Sequence, residues 1–228
     1  MKPLHIIAML LMSLSIGAQT INQFDANGKR HGIWKKNFEG TKVLRYQGQF
    51  HHGKEVGIFK FYKNIKGKAV LTASKVFNEN DNTAKVTFFS SKGKIISEGK
   101  MNGKKFIGKW EYYHDDSDKL MTVEHYDVNG NLHGKRFVFY DNGQIAESSN
   151  YQFGKLEGEA KWYSLKNVIL KHFIYENGEL HGVSKYYSPK GELIAEGRYK
   201  HGKKHGIWKY YENGVTEEKD FSHKKKAP

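Results

Sequence analysis

Four histidines, His31, His133, His181 and His205, each stand immediately before a glycine. Imidazoles at a repeated position suggest metal ligation, which needs several donors about 2 Å from one ion. Units of a β array lie roughly 10 Å apart, and of these four only His181 and His205 fall in adjacent units. The spacing therefore predicts that each histidine caps or hydrogen-bonds a hairpin turn, and that no metal or other cofactor is held. His51 and His52 form a further turn pair, with no carboxylate or cysteine at ligand spacing in the sequence. Asp115, Asp116 and Asp118 cluster in the segment HDDSDK. Three acids in a loop can hold calcium, but the alternating pattern and distal Glu of a calcium loop are missing, so a solvated turn is expected.

Groups for covalent or acid–base catalysis are missing. There is no cysteine, no G-x-S-x-G elbow and no phosphate-binding glycine loop ahead of a helix. Glu98 and Glu196 recur in matching positions before Gly99 and Gly197, which points to structure, since an active site is needed once. The remaining candidates belong to binding. Lys35, Lys60, Lys161, Lys185 and Lys209 occupy one strand position in different units, and Tyr113, Tyr163, Tyr187 and Tyr211 another. If register holds, the lysines form a broken row suited to an acidic protein, an anionic glycan or lipid head groups. The tyrosines are expected to be exposed and to make contacts, as tyrosine is favoured at interfaces. The residues expected to bind a partner are thus Tyr113, Tyr163, Tyr187, Tyr211, Lys161, Lys185 and Lys209.

These positions are set by a repeat. Its cleanest copy is GKKHGIWKYYENG, residues 202–214. The anchoring glycines are Gly32, Gly57, Gly108, Gly134, Gly158, Gly182 and Gly206, with Ala84 in the missing place. The intervals are 25, 27, 24, 26, 24, 24 and 24 residues, the signature of a repeat array. NGKRHGIWKKNF (27–38), FGKLEGEAKWY (153–163), NGELHGVSKYY (177–187) and HGKKHGIWKYYENG (201–214) resemble variants of the MORN repeat. The resemblance covers about residues 21–221. It implies a β-hairpin unit and no particular reaction. Bacterial proteins similar to this one are often classed as antitoxins or immunity proteins, which would imply a toxin partner bound without catalysis.

Each unit reads as two short strands. The second and fourth residues past each anchor are mostly aromatic or apolar, as in Trp110/Tyr112 and Trp208/Tyr210, and alternation puts them on one buried face. An apolar or aromatic residue lies seven before the next anchor: Phe50, Phe77, Met101, Tyr151, Tyr175 and Tyr199, with Tyr126 displaced by one. Asn-Gly and His-Gly turns join the strands. The anchor glycines are expected at bulges where a Cβ would clash. Ala84 should then mark the most distorted copy, and Asn78 to Thr83 the most irregular turn. Seventeen strands follow, eight beginning at anchors and nine between or outside them. The expected fold is an all-β, elongated single-sheet array of about eight hairpin units, an antiparallel meander spanning roughly 80 Å.

The ends differ in composition. Residues 1–18 carry Lys2 and then an apolar run closed by Gly17-Ala18, which reads as a signal peptide. Export to the periplasm, cell surface or medium is expected, without a lipid anchor because no cysteine follows the run. The array covers residues 19–221, and 222–228 form a basic tail. The hydrophobic content is only 38%, but the aromatic content of 14% argues against disorder and favours a thin β structure whose rings supply buried area. Rings and lysines together would suit single-stranded nucleic acid, but export disfavours that partner. The chain is therefore expected to be a non-enzymatic, exported scaffold binding a protein, with toxin neutralisation or envelope lipid and glycan association as alternatives.

Overall fold

A computed structural model describes residues 20–222. The signal-peptide reading of residues 1–18 lies outside the described residues, as does the basic tail beyond Ser222. Nineteen strands form one sheet. In order they are β1 (Gln23–Phe24), β2 (Arg30–Asn37), β3 (Leu44–His51), β4 (Lys54–Ile65), β5 (Lys68–Phe77), β6 (Thr83–Phe89), β7 (Ile95–Asn102), β8 (Lys105–Tyr113), β9 (Leu120–Tyr126), β10 (Gly134–Phe139), β11 (Ile145–Gln152), β12 (Lys155–Leu156), β13 (Gly158–Tyr163), β14 (Ile169–Glu176), β15 (Glu179–Leu180), β16 (Gly182–Tyr187), β17 (Leu193–Lys200), β18 (Lys203–Glu212) and β19 (Val215–Asp220). Strands that follow one another in the chain pair antiparallel, with two exceptions. β12 and β13 are one line broken at Glu157, and β15 and β16 one line broken at His181. Counting each broken line once leaves the seventeen positions that the repeat predicts. No helix among the described residues is long and apolar enough to cross a membrane.

Register follows the repeat. Each anchor pairs with the residue seven before the next one, as in Gly32↔Phe50, Gly57↔Phe77, Gly108↔Tyr126 and Gly182↔Tyr199. Tyr126, displaced in the sequence, is brought back into line. The anchor glycines do sit at bulges, but the reason differs from the expected clash. At Gly57 and Gly206 a Cβ would meet nothing within 4 Å. Their φ angles are 63° and 68°, the left-handed region that glycine enters without penalty. Ala84 shows the converse. It lacks positive φ, and β5 and β6 pair without interruption from Ala73↔Phe88 to Phe77↔Ala84. The copy expected to be most distorted is therefore the most regular, because alanine cannot supply the bulge and the strand runs straight through.

The core is one sheet face covered by its own rings. Trp110 and Trp208 are fully buried although no second layer packs on them. Each indole lies flat on a glycine of the neighbouring strand, Gly99 or Gly197. On the other side Trp110 is stacked by Phe106, with centroids 3.8 Å apart, and Trp208 by the Lys204 ammonium at 4.2 Å. Arg30 covers Trp34 at 4.9 Å in the same relative position. Indole N–H groups donate to Lys100 O and Arg198 O at 2.9 and 3.0 Å. Where the ring position holds Ser184, the residue seated like Gly99 is the larger Phe173, so volume is conserved across the row. In mid-sheet the face turns polar. Arg136 bonds Glu124 at 3.1 Å and Glu147 at 3.0 Å, and Tyr126 and Ser149 donate to the same carboxylates.

The hairpins are tied edge to edge by turn glycines. Gly53, Gly154, Gly178 and Gly202 each donate N–H to the residue two before the preceding anchor, namely Arg30, Leu132, Leu156 and Leu180, at 2.8–2.9 Å. Every such turn thereby rests on the hairpin before it.

Candidate functional site

The face opposite the rings carries the candidate residues. Cross-strand partners run there without a gap: Lys35, Gln47, Lys60, Ser74, Thr87 and Glu98. The same row continues through Glu111, Val123, Phe137, Ser148, Lys161 and His172. It ends in Lys185, Glu196, Lys209 and Glu218. The predicted lysines do share one row. They are not a bare basic stripe, because acids alternate with them at the C-terminal end of the row and Lys161 has an acid beside it. Lys185 pairs with Glu196 at 3.6 Å and Lys209 with Glu218 at 3.5 Å, while Lys161 meets Glu159 at 2.7 Å. The intervening strand supplies Glu196 and Glu218, a contribution hidden when only anchor offsets are compared, whereas Glu159 stands two residues before Lys161 on β13 itself.

The tyrosines require a correction. Tyr113, Tyr163, Tyr187 and Tyr211 are half-buried rather than exposed. The Tyr113 and Tyr211 hydroxyls donate to Glu98 and Glu196 at 3.0 Å in each case, so the recurring glutamates hold the recurring tyrosines. The Tyr163 hydroxyl lies 3.5 Å from Ser148 Oγ. Burial, and then the bond to Glu98, push the Tyr113 phenol up to about 12. The unfolded phenol titrates near 10, so the native state favours the protonated form. That stabilisation is complete below about pH 10 and is lost as pH rises through about 12. Tyr113→Phe is therefore expected to flatten the fall in melting temperature over this alkaline window. An unchanged alkaline profile in the variant would refute the assignment to Tyr113.

Aliphatic side chains that the repeat pattern does not single out flank the row. Ile58 and Ile207 are 59% and 56% exposed, and Val76 and Val183 are exposed beside them. Ile33, Lys35, Gln47, Gly48, Gln49 and Ile58 line an open hollow of about 450 Å³. Near the other end, Val183, Glu196, Gly197, Arg198, Ile207 and Lys209 line one of about 190 Å³. Except for Val76, their signal in the sequence is an Ile or Val directly after the anchor glycine, as at residues 33, 58, 183 and 207.

Three of the four histidines, His31, His133 and His181, reach the turn of the following hairpin, and His181 Nδ1 also lies 3.2 Å from Glu176 beside its own turn. His181 meets His201 with centroids 5.6 Å apart, and His133 meets Phe153 at 5.5 Å. His31 meets His52 at 4.9 Å. His52, expected to lack a carboxylate, has its Nδ1 at 2.6 Å from Asp25 Oδ2, across 27 residues. Hydrogen bonding by His52, and next by the Lys29 amide, lowers the Asp25 carboxyl to about 2. Asp115, Asp116 and Asp118 are exposed. In their turn a lysine takes the place of an ion: the Lys94 ammonium donates to the carbonyls of His114, at 2.7 Å, and Ser117.

The model of a known family, the MORN repeat variant, matches residues 132–153 and 180–201. Two units match a known repeat. Each match opens two residues before an anchor glycine, Gly134 or Gly182, and ends in the turn after β11 or β17. No curated protein matches the chain. A crystal structure of a TarM variant from S. aureus, in complex with Fondaparinux, alpha-GlcNAc-glycerol and UDP, is similar over 64% of this chain. Identity is 14%, the TM-score 0.29, and the chain spans 21% of that one. A likeness at that score carries no argument about function. Nothing in these matches supports the antitoxin class.

Proposed function

We propose that this chain is a non-enzymatic repeat scaffold, acting outside the cytoplasm, that binds a protein through the face opposite its rings. The observation that carries the reading is the pair of exposed aliphatic hollows. Ile58 shares one hollow with Lys35, and Ile207 shares the other with Glu196 and Lys209, both alongside one unbroken row. Exposed apolar side chains inside a charged rim suit a protein interface. Alternation of Lys with Glu along the C-terminal part of the row favours a partner of mixed charge over a uniformly anionic lipid or glycan. In this reading the tyrosines stiffen the face and the isoleucines make contact.

A photo-crosslinking residue at position 207 tests this in the cells that produce the protein. One discrete protein adduct is expected at physiological salt, reduced at least ten-fold by Val183→Asp. Adducts to lipid or glycan alone, or none, would overturn the proposal. Dependence on Val183 separates apolar contact from charge attraction, which physiological salt screens beyond about 8 Å.

A further inference from the structure

At the N-terminal end of the sheet, three side chains from two hairpins converge. Asp25 comes from the turn between β1 and β2, His31 from β2, and His52 from the turn between β3 and β4. One donor atom from each lies within 4.8 Å of the other two. The Asp25 side chain is 8% exposed. His31 Nδ1 is buried without a hydrogen-bond partner. His51 is the nearest further donor, with its ring centroid 5.4 Å from His31 and 4.5 Å from His52.

The carboxylate is preset. Asp25 Oδ1 accepts the amides of Asn27 and Lys29, both at 2.9 Å, which fixes its plane and leaves Oδ2 to His52. The chain contains its own control for this arrangement. Asp127 and His133 occupy the same offsets before Gly134, and Asp127 Oδ1 accepts two amides in the same way. There, however, Oδ2 is taken by Asn131 Nδ2 at 3.1 Å, and the place of His52 is held by Phe153. At Asn131's offset the first copy has Lys29, and opposite it has His52. Two exchanges thus convert a closed turn into a set of three converging donors.

We propose that Asp25, His31 and His52 bind one divalent transition-metal ion of the zinc class. Two imidazoles and a carboxylate are donors that zinc accepts, leaving a fourth position for water or His51. Around a tetrahedral zinc, with bonds of about 2.0–2.1 Å, donor atoms stand about 3.3 Å apart. The 2.6 Å His52–Asp25 contact therefore opens slightly as the ion enters. The ion would satisfy the orphaned His31 ring. It would also staple β2 to the next hairpin, where β1 adds only the two pairs Gln23↔His31 and Phe24↔Arg30. The hydrogen bond from Gly53 N to Arg30 O, at 2.8 Å, already holds the two turns together.

The test is a zinc titration of the full chain without an affinity tag, competing against a chromogenic chelator. One zinc per chain is expected, with affinity falling at least ten-fold in Asp25→Asn and in His52→Phe. Asp25→Asn keeps an oxygen for the two amides, so its fold should persist by circular dichroism. His201→Phe, at the pair without the aspartate, should bind zinc as the parent does. Zinc should also raise the melting temperature of the parent and leave Asp25→Asn unmoved. Absence of zinc binding by the parent, or equal affinity in parent and both variants, would overturn the proposal.

Discussion

Trp110→Ala is expected to cost about 3–5 kcal/mol, the range for truncating a buried aromatic ring. The indole is fully buried between Gly99 below and Phe106 above, with Phe88 and Tyr112 beside it at 6.1 and 6.3 Å. A single sheet has no second layer to settle into the gap, so the cavity opens to water. Lys100 O loses its indole donor at the same time. Ala84, Val86 and Met101, which form the buried cluster with this ring, lose their cover. At about 2–4 °C per kcal/mol for a chain of this size, the melting temperature should drop by on the order of 10 °C. Urea unfolding followed by the remaining tryptophans measures the loss. A change below about 1 kcal/mol would mean that the ring is incidental to the array. Because units of a repeat contact mainly their neighbours, amide exchange should quicken first in β6 to β9 and last in β16 to β18.

The period of about 24 residues was enough to place every strand, because each anchor glycine needs positive φ and only glycine supplies it cheaply. The pairing of anchor with the residue seven before the next anchor also follows from the pattern, even where Tyr126 slips by one. Three features were not legible. The pattern makes Ala84 look like a damaged glycine, yet a residue that cannot enter the bulge simply removes it and lengthens the ladder. The offsets of Tyr113 and Tyr211 do not show that their environment is set by Glu98 and Glu196 across the hairpin. The Asp25–His52 contact joins residues from two different turns. Nothing local distinguishes Asp25 from Asp127 until the neighbours at Lys29 and His52 are set against Asn131 and Phe153. Each miss concerns what lies across a strand boundary, which a one-dimensional period records only after register is assigned.

The sharpest test of the ring-on-glycine arrangement is Gly197→Ala. Its backbone lies outside the left-handed region, so alanine meets no conformational penalty there. By chain entropy alone the change should stabilise, by about 0.4–1 kcal/mol. Packing reverses the sign. A Cβ at this position would stand 2.3 Å from Trp208 Cδ2 and 2.4 Å from Cε2. These are atoms of the rigid fused ring, with no flexible end to swing away. The indole must lift, giving up its bond to Arg198 O and its contact with the Lys204 ammonium. Overpacking of this kind costs about 1–3 kcal/mol, so after the entropic gain a net loss of about 1 kcal/mol is expected from a single methyl. Repeating Gly197→Ala in a Trp208→Ala background separates the two terms, since the clash is then gone. There the methyl should be neutral or mildly stabilising, a coupling of about 1–3 kcal/mol in the range for residues in contact. If Gly197→Ala costs the same with and without the indole, the glycine is required by the strand itself, and the ring is not what the repeat selects it to seat.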